Sequence, residues 1–507
     1  MRYRGAFVVF LTCLSLIAQG VIAQSDPPKA NVAPELQAAL DGIRASSLRD
    51  DLSYIASDEL AGRDTPSPGL DLAAEYIAAQ FKRAGLEPGV GESYFQDASM
   101  LVEPGAVNVD LKLSSGRREF AVSQNAAVAR LRAELDLKDA FLFKLDLADE
   151  SLLRHLTASQ VEGKVVITEF DPKLRGRLRS VQGILRSANP ALVILVDRKG
   201  LTTRDRRPRQ LVDPTQSAAD GTSPRITITG EDAARFYAGL RTGARNATAS
   251  VHIGAPERVP VILRNVIGVL RGSDPALRDT VVLLTAHYDH LGVREQGFGD
   301  HVYNGANDDG SGTVSVMEVA RALARLPKHP RRSIVFMTFF GEEEGLIGSA
   351  YYAHHPVWPL AKTVADLNLE QVGRTDSTEG PQISNASLTG FDYSDLTNYV
   401  QRAGERTGIK VYKNAKGSDP YFSQSDNFSL AEAGVPAETL CVAFDFSDYH
   451  GVGDEAQKID YDNMAKVDRA IAVAMFLMAD SNRPVRWNEA NPKTAPYVKA
   501  RKQQPEE

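Results

Sequence analysis

Five apolar runs in the second half of the chain constrain its fold most: "NVIGVLRG", "TVVLLTAHYDH", "RRSIVFMTFFGEE", "VADLNLEQVG" and "VPAETLCVAF". Each is short and nearly continuous in apolar residues, with polar or charged residues at or near its C-terminal end. Helical stretches lie between some of them, such as "SGTVSVMEVARALARL", which sets Val316, Val319, Ala320 and Leu323 on one face. A strand apolar on both sides must be covered on both sides. Strands of this kind alternating with helices predict an α/β fold: a mixed, mostly parallel sheet with helices on both faces. Ligands of such sheets bind outside the carboxyl ends of the strands. The charged residues at those ends are therefore where chemistry is expected.

A chain of 507 residues exceeds one ordinary core. Between 116 and 255 the texture changes. "GKVVITEFD" and "PALVILVD" are short β-rich runs around a helical stretch, which predicts a smaller β-rich inserted domain built on a βαβ-like unit. It contains no cluster with catalytic spacing, and its basic run "RKGLTTRDRRPRQ" reads as a solvated loop. Residues 35–115 would form the first part of the main domain and 256–485 the remainder. In "GLDLAAEYIAAQFKRAGLEPG", Leu70, Ala73, Ala74, Ile77, Phe81 and Ala84 keep helical spacing, and Gly85 follows as the cap. The tail, 486–507, is charged and poor in apolar residues, so it is expected to be mobile.

Arg2 and Arg4, the apolar "AFVVFLTCLSLIA" and the small residues of "VIA" predict a signal peptide over 1–23, followed by a polar linker over 24–34. That implies a secreted or periplasmic protein, without membrane attachment after cleavage. Its removal would leave Cys441 as the single cysteine, in an apolar run that suits a core position. The net charge of −7 argues against a nucleic-acid partner.

Metal-ligand residue types gather at the strand ends: His287, Asp289 and His290 in "AHYDH", Asp308 and Asp309 in "NGANDDGSG", Glu342, Glu343 and Glu344 in "GEEEG", Glu370 in "NLEQVGR", and His450 in "DYHGVGDE". Each segment alone has an ordinary reading. A lone histidine at a strand end is commonly a hydrogen-bonded core residue, Asp-Asp-Gly a helix N-cap, and a glutamate triplet a solvated turn. Emerging together at one sheet edge, they suit zinc or a similar divalent ion. Asp289, two residues beyond His287, would hold that ring's second nitrogen. His290 would point elsewhere and be structural. The residues leave two registers open for a base and ligand pair, Glu342–Glu343 or Glu343–Glu344.

"TAHYDHLG", "YNGANDDGSG", "FFGEEEGLIGS", "NLEQVGR" and "DYHGVGDEAQKIDY", in that order, resemble the two-zinc aminopeptidase family, whose relatives include glutamate carboxypeptidases, glutaminyl cyclases and inactive transferrin receptors. "IASDELAGRDTPSPG" is similar to the start of its bacterial secreted members, and the insert resembles their protease-associated domain. The resemblance implies two zinc ions and a zinc-exopeptidase fold. One ion would be held by His287 and Glu370, the other by Glu343 and His450, with Asp308 bridging. It also implies Glu342 as general base, which selects the first register because one variable residue separates ligand from glycine. Glu344 is then a bystander. Tyr449 matches a position that donates to the developing oxyanion. The family's usual aspartate is replaced here by Glu370, one methylene longer. The implied activity is release of N-terminal residues from peptides. The alternatives are a carboxypeptidase or dipeptidase, with Arg374 gripping the substrate carboxylate, a glutaminyl cyclase, or an inactive binding protein.

Overall fold

The apolar runs become neighbouring strands of one ten-stranded sheet. We label six of its strands β1 (Phe95–Pro104), β2 (Val259–Leu270), β3 (Val281–His287), β4 (Ser333–Phe339), β5 (Thr363–Glu370) and β6 (Ala437–Cys441). Across the sheet they lie in the order β6-β5-β3-β4-β2-β1. The computed structural model describes residues 32–504, apart from 105–107, 123–126, 132, 201–208, 216–222, 244–245, 256 and 295–298. The expected signal peptide and all but the end of the linker lie outside the described residues.

The block β4, β3, β5, β6 is parallel, and β2 pairs antiparallel with both β4 and β1. Register aligns the carboxyl ends: His287 lies opposite Phe339, and Glu370 opposite Cys441. Every residue of β3 and β4 is buried. Alternate side chains of β3 enter two separate cores. Val282, Leu284 and Ala286 join one, while Val281 and Leu283 join the other with Tyr352, Leu430 and Trp487. The α/β fold with both faces covered is thus present. Burying such a side chain contributes roughly 1.5–3 kcal/mol before conformational entropy is subtracted.

Three helices fill the first core: α1 (Pro68–Ala84), α2 (Gly312–Leu323) and α3 (Tyr461–Asp480). The Ser67 hydroxyl caps α1 by accepting from the Leu70 amide at 3.1 Å. Gly85 ends α1 at φ 83°, a left-handed conformation that favours glycine. The apolar stripe from Leu70 to Phe81 is buried and Ala84 is half-buried. Helix α2 is buried all round except at Arg321, which pairs with Asp51 at 2.7 Å.

A second, eight-stranded sheet runs from Val109 to Ile253. It is larger than a single βαβ unit. Leu135–Lys144, Val165–Glu169, Leu192–Asp197 and Arg225–Thr229 are parallel, flanked by antiparallel strands over a separate core. Arg209–Val212 departs from it and pairs antiparallel with β1, where Arg209 forms an ion pair with Asp64. The end of the basic run is therefore an edge strand rather than a solvated loop. Pairing with a distant partner leaves no local periodicity to read. The tail also differs from expectation. Ala495–Gln503 is helical, Arg501 donates to the carbonyls of Leu360 and Thr363 at 2.8 and 3.2 Å, and Tyr497 packs 5.1 Å from Trp487. Few apolar residues suffice when all of them meet one cluster.

Candidate metal centre

Four chain segments converge at the carboxyl edge of β3, β4, β5 and β6. His287 is the last residue of β3 and Glu370 the last of β5. Asp308 and Asp309 lie in the turn entering α2, joined by a cis peptide. Glu342 and Glu343 follow β4, and His450 follows β6 at φ 53°.

The two oxygens of Asp308 face opposite ways. His287 Nε2 lies 3.4 Å from Asp308 Oδ1 and 3.5 Å from Glu370 Oε1. His450 Nε2 lies 3.2 Å from Asp308 Oδ2 and 3.5 Å from Glu343 Oε1. All five expected ligand residues are therefore neighbours, with the Asp308 carboxylate in the middle. Glu370 Oε2 accepts from Ser425 Oγ at 2.7 Å. That bond holds the additional methylene of Glu370 and turns its other oxygen toward His287.

Asp289 does contact the His287 ring. His287 Nδ1 lies 3.1 Å from the Asp289 backbone oxygen and 3.4 Å from its carboxylate. The same carboxylate accepts from Thr65 Oγ1 and from the Glu342 amide, each at 3.1 Å. One buried group thus orients the histidine and fixes the turn carrying Glu342.

His290 differs from expectation. Its Nδ1 lies 2.9 Å from Glu343 Oε1, and with Asp308 and Glu343 it forms a group able to hold an ion. The strand ends at His287, so the alternation that would turn His290 away no longer applies; its amide instead donates to the Arg63 carbonyl at 3.2 Å. A second such group is His287, Asp309 and Glu370. Asp309 is also a cap: its Oδ1 accepts from the amides of Gly312 and Gln371 at 3.0 Å. Glu344 is half-buried. Tyr449 is 43% exposed, stacks on His450 with centroids 4.0 Å apart, and borders the pocket beside Glu342. Cys441 is buried and free.

Arg63 lies within "IASDELAGRD", where no local pattern marks it as part of the site. Fully buried, it donates to four backbone carbonyls: Tyr288 at 2.8 Å, Ile55 at 2.6 Å, Asn304 at 2.6 Å and Gly305 at 2.9 Å. It thereby clamps the His287–His290 segment to the Asp308 turn. Burial lowers its pKa to about 10, against the charges of Asp289, Asp454, Asp308 and Asp309. Gly305 sits at φ 56°, and a Cβ there would come within 2.4 Å of the His290 ring, so only glycine fits. Asp454, inside the quoted "GVGDE", accepts from the amides of Asn307 and Asp308 at 3.0 Å. Arg374, 2% exposed, binds Asp376 at 2.8 Å and Asp448 at 3.0 Å and lies over the Phe446 ring. Its guanidinium braces the His450 turn.

The donor set fits zinc. His287 Nε2, Asp308 Oδ2, Asp309 Oδ2 and Glu343 Oε1 are buried and make no hydrogen bond. Buried acceptors in that state are costly unless a cation satisfies them, and mixed imidazole and carboxylate ligands suit zinc. The titration reflects the crowding. Burial raises Glu342 well above the carboxylate range, and raises Asp426 to about 7. For His450, burial acts downward, but its bond to Asp308 and the charge of Glu343 lift it to about 9.

Residues 265–475 match the family model for Peptidase family M28. A Pyricularia oryzae protein named "Probable zinc metalloprotease" is 27% identical over 298 residues, 50% of this chain and 57% of its own length. Aminopeptidase YwaD of Bacillus subtilis is 26% identical over 223 residues, 42% of this chain and 44% of its own. The chain thus spans about half the length of these curated relatives. The structure of the aminopeptidase from Aneurinibacillus sp. strain AM-1 superposes with a TM-score of 0.58 at 20% identity, covering 89% of this chain and 96% of that one, and shares its fold.

The expectation of a secreted or periplasmic location is corrected by another match. The Vacuolar membrane protease of Tuber melanosporum is 30% identical over 199 residues, 38% of this chain and 18% of its own. An apolar N-terminal run does not by itself fix the destination of a chain. Among the described residues no helix is long and apolar enough to cross a membrane.

Proposed function

Residues 265–475 belong to Peptidase family M28, and from that premise we propose that the chain is a zinc-dependent aminopeptidase using two metal ions and Glu342 as general base. The observation that carries this reading is the divided Asp308 carboxylate, with His287 and Glu370 on one side and Glu343 and His450 on the other. His287, Asp308 and Glu370 would hold one ion; Asp308, Glu343 and His450 the other. Asp309 and His290 stand close enough to join them. Bound there, zinc supplies Lewis-acid polarisation of the scissile carbonyl and favours hydroxide at neutral pH.

The chain's own residues supply the rest. Glu342 takes a proton from the attacking water and passes it to the departing amine. Its raised pKa suits a group that must both accept and return a proton at neutral pH. The Tyr449 hydroxyl donates to the oxyanion as it forms. Asp289 keeps His287 in one orientation and, through the Glu342 amide, positions the base.

A carboxypeptidase needs a cation for the substrate carboxylate. Arg374 is buried against Asp376 and Asp448, which favours aminopeptidase action. The test is metal analysis with a panel of free and N-acetylated aminoacyl amides. Zinc near two per chain and cleavage of free substrates are expected. Equal cleavage of acetylated substrates would refute the aminopeptidase reading. A Glu342→Gln chain should keep its zinc and lose roughly 10²–10⁴-fold in rate.

A further inference from the structure

We propose that the pocket beside the metal centre selects a basic N-terminal side chain, lysine or arginine, and that Asp445 is the residue that selects it. The proposal rests on the aminopeptidase reading. The pocket encloses about 310 Å³. Glu342, Glu370 and His450 line it together with Tyr421 and Phe444, whose ring centroids are 5.2 Å apart, and with the exposed carboxylate of Asp445.

A lysine or arginine side chain matches this set of surfaces. Its methylene stem packs on the aromatic pair, and its charged end reaches the ring faces and the carboxylate. Asp445 is exposed, and among the described residues no lysine or arginine lines the pocket. Glu379 adds a second negative charge nearby. Its Oε2 is buried without a hydrogen bond, and Asp445 acts together with burial to raise its pKa. Lys416, exposed on the surface, opposes Glu379. Two carboxylates against one ammonium leave this group with a net negative charge. An acidic side chain would be repelled there, and an aliphatic one would leave Asp445 without a counter-charge.

The experiment uses the zinc-loaded full chain and lysyl, norleucyl and glutamyl 4-nitroanilides, free and Nα-acetylated. Lysine and norleucine share a stem length, so their ratio isolates the charge. We expect kcat/KM for lysyl to exceed norleucyl by about three- to tenfold, with glutamyl poorest. Asp445→Asn should bring the lysyl-to-norleucyl ratio near one, and Asp445→Glu should restore it. Equal lysyl and norleucyl rates in the native chain, or a ratio unmoved by Asp445→Asn, would overturn the proposal and leave the aminopeptidase reading standing. Equal cleavage of acetylated substrates would overturn that reading instead. The pocket is then decided by calorimetry with lysinamide and norleucinamide on the Glu342→Gln chain. Tighter binding of lysinamide, lost in Glu342→Gln/Asp445→Asn, supports the proposal; equal affinities overturn it.

Discussion

Replacing Arg63 by methionine tests whether the metal centre depends on one buried guanidinium. The side chain makes bonds of 2.6–2.9 Å to the carbonyls of Ile55, Tyr288, Asn304 and Gly305, with no solvent exposure. Methionine matches much of the stem but donates nothing, so the carbonyls of Ile55, Tyr288 and Asn304 lose this donor, while that of Gly305 keeps the Gly310 amide at 3.1 Å. Each unsatisfied group costs about 1–3 kcal/mol. Release of the buried charge and entry of water offset part of that, so a net loss of about 3–5 kcal/mol is expected. Three of the four carbonyls flank His287, His290 or Asp308, so zinc affinity should fall about 10–100-fold, as for other residues that orient ligands. Urea unfolding of zinc-free protein measures the first effect, and competition with a chromogenic chelator measures the second. Arg63→Lys keeps the charge with three donors and should lie between. Native stability together with native zinc affinity in Arg63→Met would refute the clamp.

Other predictions follow from single contacts. Asp289→Asn should lower zinc affinity about 10–100-fold by disturbing the His287 orientation; unchanged affinity by the same competition would count against it. Glu343→Ala should abolish tight binding of one zinc while Glu344→Ala keeps both, and the opposite result would shift the register by one residue. Glu438 is buried, bonded by Ser394 and Thr397, and its pKa is pushed up by burial to about 8. Its folded carboxyl holds a proton that the unfolded chain loses near the usual pKa of about 4.3. This stabilising contribution is therefore complete at low pH and is lost as pH rises through about 8. Glu438→Gln should thus gain in Tm relative to the native chain as pH rises from about 5 to 8.5. Parallel Tm curves would exclude the effect.

The sheet and the five candidate ligand residues were legible because the same segments carry both signals. A continuous apolar run names a buried strand, and the His or acid at its end needs no partner to be noticed. "GEEEG" and "AHYDH" could therefore be noticed locally, although the residues left two registers open in the first. The direction of His290 could not be read in this way, since it depends on where β3 stops and on the Arg63 carbonyl more than two hundred residues earlier in sequence. As a sequence, Arg374 was a candidate to grip a substrate carboxylate; the fold buries it against Asp376 and Asp448 instead.

The sequence by itself determined the strand runs, their alternation with helices, and which carboxylates and imidazoles stand at strand ends, because hydrophobic periodicity and residue chemistry are local properties. Only the tertiary structure decided that Asp308 stands between His287 and Glu370 on one side and Glu343 and His450 on the other, that Arg63 ties the His287 and Asp308 segments together, and that Asp445 lines the same pocket as Glu342. Those facts depend on distances between segments far apart in the chain, set by the register of β3, β4, β5 and β6 and by buried hydrogen bonds that no local pattern encodes.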